Sequence, residues 1–191
     1  MTAQPTGPVG RSIDLTMQRN ASYTIEDVLK LPEDTPRVEL LDGVMVVVPS
    51  PTGMHQNIAN LLWLWFRQHA PLSLEPLTAV GVAVSHQNTF EPDVLLLRGP
   101  IDQQSHYYSP NQVLIAVEVV SPSTRRRDRF QKPNDYADAG IAHYWRIEQN
   151  PIHIFAYDLV DDRYELVGDS DELLALTKPF DIELAIRDIT P

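Results

Sequence analysis

A single carboxylate interrupts the run Val113 to Val120, VLIAVEVV, where every other residue is apolar. Burying an ionised side chain costs several kcal/mol unless a cation or hydrogen-bond donors compensate it, so Glu118 calls for a partner. Two residues can supply one: Asp93, in EPDVLLL, through a shared metal ion, and Lys132, further along the chain, directly. Placed on adjacent strands, Asp93 and Glu118 can direct their carboxylates at one divalent ion. Mg²⁺ takes oxygen ligands in octahedral geometry and commonly uses one or two protein carboxylates, filling the remaining positions with water and substrate phosphate. A lysine beside such an ion can hydrogen-bond a phosphate and orient the attacking water. Two carboxylates and an ammonium therefore suffice for metal-assisted phosphodiester hydrolysis. The competing reading of Lys132 is a solvent-exposed helix lysine.

Asp93 and Glu118 must be positioned by strands. PDVLLL and QVLIAVEVV are nearly continuous apolar runs, the pattern of strands covered on both faces, and are expected at the centre of a sheet. Pro92 suits the start of a strand, which places Asp93 at a strand end. Lys132 precedes Pro133, so either a helix begins here with the proline in its first turn, or a helix kinks at Lys132. Ser121-Pro122-Ser123-Thr124 reads as the turn between strand and helix, with Ser123 or Thr124 as N-cap. The helix is expected to end near Ala139-Gly140.

The elements before and after these follow from local patterns. Residues 1–21 are polar, with proline and glycine, and are expected to form a poorly ordered tail. A single domain is expected over residues 22–191. Thr24 and Asp27 mark a helix start, and RVELL and VMVVVP flank Asp42-Gly43 as a hairpin. Apolar residues recur at helical spacing from His55 to His69, bounded by Pro51 and Pro71. His55, at the start of this helix, can contact a ligand or phosphate, cap the helix, or hydrogen-bond within the core. TAVGVAVS reads as a further strand. HYWRIE, IHIFAYD and RYELVG read as a meander, with Trp145 and, on the preceding helix, Tyr136 packing. Asp158, Asp161 and Asp162 are assigned to turn chemistry and not to a metal.

Composition bounds the function. The chain has 191 residues, 43% of them hydrophobic, enough for a full core, and no cysteine, so thiolate metal sites and cysteine nucleophiles are excluded. No segment has the apolar length to span a bilayer, and MTAQPTGPVGRS lacks the apolar core of a signal peptide, so a cytoplasmic protein without membrane association is expected. Fifteen Lys and Arg against 26 Asp and Glu give a net charge of −11, unfavourable for a polyanionic partner. Positive charge is nevertheless concentrated in Arg125, Arg126, Arg127 and Arg129. These four either contact phosphate or form a solvated loop or helix N-terminus.

The succession ELLDG, SPTGMHQNIANLL, EPDVLLL, VEVVSPST, a lysine at 132, Tyr136 and AGIAHYW resembles the Uma-two family of bacterial restriction-endonuclease-like proteins, within the PD-(D/E)XK nuclease superfamily. The resemblance runs from about Tyr23 to Leu166. It implies an α/β fold, a restriction-endonuclease-like mixed β-sheet flanked by helices, here with an N-terminal helix and hairpin. It further implies a Mg²⁺ (or Mn²⁺)-dependent DNA endonuclease in which Asp93 and Glu118 hold the metal, Lys132 stabilises the transition state, and Glu39 lies at the same site. His55 falls on a recurrent family position. DNA is the implied partner, and a homodimer is expected because two strands need cutting. One departure stands out: the superfamily places its lysine two residues after the second acid, where this chain has Val120, so the amine must come from Lys132 on the next element. A catalytically weak nucleic-acid-binding or regulatory module on the same fold is the alternative.

Overall fold

Asp42 and Gly43 both adopt positive φ, 48° and 76°, which is the requirement of a tight hairpin whose twist matches its strands. In the computed structural model, which describes residues 22–32, 34–121 and 127–191, they join the first two strands. The expected N-terminal tail, Ser123, Thr124, Arg125 and Arg126 lie outside the described residues. A short helix, α1 (Ile25–Val28), opens with the Thr24–Asp27 capping box. There follow β1 (Val38–Leu41), β2 (Val44–Val47) and α2 (Gly53–His69), then β3 (Leu74–Leu77), β4 (Gly81–Ser85), β5 (Asn88–Phe90), β6 (Val94–Arg98), β7 (Tyr107–Tyr108) and β8 (Val113–Val119). A π-helical turn (Arg127–Gln131) runs into α3 (Lys132–Asp138), followed by β9 (His143–Gln149), β10 (Ile152–Val160), β11 (Arg163–Ser170), β12 (Leu173–Leu176) and β13 (Ile182–Ala185).

Among the described residues, the strands form a six-stranded sheet in the order β11-β10-β9-β8-β6-β3, a five-stranded sheet β2-β1-β5-β4-β7, and the hairpin β12-β13. The two apolar runs singled out in the sequence, β6 and β8, are adjacent and antiparallel at the interior of the larger sheet. β8 and β9 are parallel, so β8, α3 and β9 make a crossover unit, and β9, β10 and β11 continue as the expected meander. The chain is thus a mixed α/β protein.

Side-chain alternation explains why both runs are apolar throughout. Ile115, Val117 and Val119 point to one face, where Ile58, Leu62 and Phe66 of α2 and the hairpin β12-β13 cover them. Ala116 points to the opposite face, with Leu95 and Leu97 of β6, and meets Tyr136 of α3, Phe90 of β5 and Val82 of β4. Glu118 shares that second face by the period of two. It is the polar member of a fully buried strand.

β3, β5 and β7 are absent from the sequence expectations, and β12 and β13 fall in the stretch DELLALTKPFDIELAIRDI, which reads only as short strand or turn. Pro76 lies inside β3, which is tolerated because β3 is an edge strand. TAVGVAVS is strand only from Gly81; Ala79 is in the left-handed region at φ 57° and breaks the run. The Asp161-Asp162 turn joins β10 to β11 with both residues at positive φ. No helix among the described residues is long and apolar enough to cross a membrane.

Candidate active site

α3 begins at Lys132, with Pro133 in its first turn. Gln131, before Lys132, is itself helical, at φ −78° and ψ −60°, so the proline sits where the π-helical turn passes into α3. The preceding π-helical turn widens the backbone, a feature frequent where function fixes a side chain's direction. The result is that Lys132 points inward. It is 3% exposed, which excludes the reading of a surface lysine.

The Lys132 Nζ lies 2.9 Å and 3.0 Å from the two oxygens of Glu118. It also lies 3.0 Å from Glu39 Oε1 and 3.8 Å from Asp128 Oδ1. Glu118 receives one more hydrogen bond, 2.7 Å, from the Tyr136 hydroxyl. The charge in the apolar strand is thus compensated by an ammonium and a phenol, both from α3.

Asp93 is clamped to the same strand. Its backbone N–H donates to the Val117 carbonyl at 3.0 Å and its Oδ2 accepts the Val119 N–H at 2.7 Å, so it grips the residues on either side of Glu118. Its Oδ1 lies 2.8 Å from Nε2 of His55. His55 sits inside α2; the cap is Thr52, whose hydroxyl accepts the His55 N–H. Of the roles open to this histidine, the structure gives contact with a site carboxylate. Its Nδ1 is buried without a hydrogen-bond partner.

Glu39 enters from β1 of the smaller sheet and is 1% exposed. Its Oε1 accepts the Glu91 N–H at 3.2 Å and its Oε2 lies 3.1 Å from Arg127 Nη1. Arg37 in turn pairs with Glu91 at 2.5 Å. All these side chains except Tyr136 line one cavity of about 200 Å³ where the two sheets meet, closed on one side by the segment from Val48 to Thr52.

Burial pushes the Glu118 carboxyl up to about 8, with Lys132 pulling it down and Asp128, Asp93 and Glu39 pushing it further up. Burial alone would lower Lys132, but Glu118, Glu39 and Asp128 outweigh it and hold the ammonium above its ordinary range. Burial and then Glu118 raise the Tyr136 phenol well above its usual value, so it remains a donor. Burial is the main reason the two acidic groups hold their protons, whereas Lys132 is held protonated against its burial by the carboxylates around it, the sign of negative charge at the ammonium. The cavity wall carries Glu39, Glu91, Asp93, Glu118 and Asp128 against Arg37, Arg127 and Lys132, two negative charges in excess when Glu118 is ionised and one when it holds its proton.

That surplus and an all-oxygen carboxylate set fit a divalent cation of the Mg²⁺ type. No group of three or more acidic or histidine side chains converges on one point among the described residues. An ion of that type asks for one or two protein carboxylates, with the rest from water and phosphate, and Asp93 and Glu118 both line this cavity.

Of the candidate residues, Glu39, His55, Asp93, Glu118, Lys132 and Arg127 line one cavity. Arg127 pairs with Glu39 through one Nη, while its buried Nε has no hydrogen-bond partner among the described residues. Arg129 lies elsewhere: its guanidinium bonds Glu148 at 2.8 and 2.9 Å. The sequence reading gave Tyr136 only a packing role and passed over Asp128. Asp128, Lys132 and Tyr136 are spaced by four, which sets them on one side of a helix, and that spacing was the available signal.

The family model described as Uma2, putative restriction endonuclease, matches residues 25–187. Among solved structures, a putative nuclease of the DUF820 group from Anabaena variabilis is similar, with a TM-score of 0.67 at 19% sequence identity, covering 87% of this chain and 96% of that one. At that identity the likeness shows the fold. No curated protein matches the chain.

Proposed function

We propose, from the premise that the chain belongs to the Uma2 family of putative restriction endonucleases, that it is a divalent-metal-dependent nuclease cutting phosphodiester bonds of DNA. The observation that carries this reading is the Lys132 ammonium within 3.0 Å of both Glu118 oxygens. An amine from α3 thereby occupies the neighbourhood of the second acid, although Val120 fills the position from which the superfamily's lysine ordinarily comes. Asp93 and Glu118 would hold a Mg²⁺ or Mn²⁺ ion, which when bound supplies Lewis-acid polarisation of the phosphate and a lowered pKa for water.

The chain's own residues then have separate tasks. Lys132, exchanging one of its contacts with Glu118 or Glu39 for a non-bridging oxygen of the phosphate, stabilises the charge that grows there as water adds and the P–O bond breaks. Tyr136 fixes the Glu118 carboxylate, and His55 fixes Asp93. Glu39 holds Lys132 and Arg127 in place from the opposite sheet. The surplus negative charge, two when Glu118 is ionised and one when it is not, repels phosphate until a divalent ion balances it, which makes engagement of DNA at this cavity metal-dependent.

One observation favours the second reading, a regulatory or DNA-binding module with weak catalysis: every oxygen of Asp93 and Glu118 is already engaged by the protein. Titration with Mn²⁺ followed by electron paramagnetic resonance separates the two. The nuclease reading expects a specific site that is lost in Asp93→Asn and in Glu118→Gln. Unchanged Mn²⁺ binding in both variants would remove the metal site from the account.

A further inference from the structure

A second cavity, about 500 Å³, opens beside the helical segment from Arg127 to Asn134, which also contributes to the active-site cavity. Arg127, Asp128 and Lys132 face the first cavity, whereas Arg129, Pro133 and Asn134 face the second. The sheet floor is continuous between them. Glu118 pairs in register with Arg146 on β9, and Arg146 with Phe155 on β10, so these side chains share one face and step outward from the active site. The Tyr144 hydroxyl donates to the Asp128 carbonyl at 2.6 Å, tying the floor of the cleft to the active-site wall.

The lining pairs cations with aromatic rings. The Arg146 guanidinium lies 4.4 Å from the Phe155 ring centroid and 5.8 Å from that of Tyr157. Its buried Nε has no hydrogen-bond partner, although Glu148 Oε1 is 3.3 Å away. Glu148 is the shared counter-ion of Arg129 and Arg146, one carboxylate for two guanidinia. Arg163, exposed at the mouth, has no ion pair among the described residues. Tyr157 and Tyr164 are half-buried and stand beside Tyr144 at centroid distances of 5.8 and 5.6 Å. Asp138 and Asp162 are the opposing charges, both exposed at the edge.

The exposed guanidinium of Arg163, unpaired among the described residues, suits a phosphate, and the half-buried rings of Tyr157 and Tyr164, both in the cleft lining, suit a base. A cleft of this volume lies in the range of about 300–1,000 Å³ that holds small-molecule-sized groups. We propose that this cleft binds an unpaired nucleotide of the DNA strand adjoining the cut, its base against Tyr157 and Tyr164 and its phosphate on Arg146 and Arg163. This rests on the nuclease reading for the identity of the strand, but not for the existence of the site. The protein thereby gains an arginine- and tyrosine-lined handhold that the acidic active-site cavity lacks.

The test is binding of the full chain to a fluorescein-labelled oligothymidylate, read by fluorescence anisotropy in EDTA so that no cleavage occurs. Arg163→Glu should weaken binding about tenfold and lower the salt slope by about one or more, while Arg163→Lys stays near wild type. Tyr157→Leu should weaken binding roughly tenfold with the salt slope retained. Binding within about twofold of wild type in both Arg163→Glu and Tyr157→Leu overturns the proposal, as does a wild-type protein that does not bind the oligonucleotide. Arg163-dependent binding by a chain that cuts nothing with Mg²⁺ would sink the nuclease reading and leave the cleft standing. Metal-dependent cutting with Arg163-independent binding would do the reverse.

Discussion

Replacing Lys132 with methionine keeps most of the side-chain volume and removes the charge that Glu118 and Glu39 share. Both carboxylates are buried, at 3% and 1% exposure, and Asp128 beside them at 2%. Removing one partner of a buried ion pair costs about 3–5 kcal/mol, because the other charge stays desolvated. The cost depends on pH in a direction fixed by Glu118. Its folded carboxyl is raised to about 8 from 4.5, so the native state holds a proton that the unfolded chain releases, and the associated stability is present below about pH 4.5 and lost as pH rises through about 8. Lys132 lowers this value in the wild type, so its removal raises it further and lets Glu118 stay neutral over a wider range. Lys132→Met should therefore lose about 3–5 kcal/mol at pH 9 and at least about 1 kcal/mol less at pH 5. At roughly 2–4 °C per kcal/mol, the melting temperature at pH 9 falls by about 6–20 °C. Urea unfolding in EDTA, followed by tryptophan fluorescence at both pH values, measures this. A loss below about 1 kcal/mol at pH 9, or an equal loss at both, would refute the reasoning that Lys132 neutralises buried carboxylates. Adding Glu118→Gln to Lys132→Met should restore part of the stability, since a neutral amide no longer lacks a counter-ion.

Tyr136→Phe removes the 2.7 Å hydrogen bond to Glu118 without opening a cavity, and should lower stability by about 1.5–3 kcal/mol in urea unfolding at pH 9, the range for bonds to charged groups. His55→Gln releases Asp93 Oδ1 from its 2.8 Å contact and should weaken Mn²⁺ binding about tenfold or more in isothermal titration while leaving the fold's circular dichroism unchanged. Gly43→Ala should cost about 1 kcal/mol or more of stability, because position 43 holds φ at 76° and a Cβ there meets the Ser22 hydroxyl; a neutral result would mean the turn relaxes.

The elements that carry Asp93 and Glu118 are legible in the chain because a violated burial rule is visible locally: a carboxylate in an otherwise apolar strand has few explanations. The Asp42-Gly43 turn is legible for a similar reason, since its backbone demand restricts residue type. Lys132 is harder. Its inward direction depends on the π-helical turn ahead of it and on Pro133 taking the first helical turn, and both arrangements fit the residues equally well until the packing of α3 selects one. Asp128 has no local mark of burial within RRRDRF; it is buried because Lys132 and the Tyr144 hydroxyl draw that turn against the sheet. The strands β3, β5 and β7 are short, and their pairing comes from distant segments, as in Gly81 with Tyr107. The arginine cluster shows the limit of reading charge from composition, because Arg127 and Arg129 turn to different sides of one helical turn and each meets a carboxylate, Glu39 and Glu148.

Cleavage of supercoiled plasmid by the purified chain decides whether this cavity is a nuclease site, comparing wild type, Asp93→Asn, Glu118→Gln and Lys132→Met with Mg²⁺, with Mn²⁺ and with EDTA. Nicked or linear product is expected from the wild type with either metal, none with EDTA, and a loss of at least about a hundredfold in each variant. Wild-type protein inert toward DNA with both metals, or Glu118→Gln cutting as fast as wild type, would contradict that assignment.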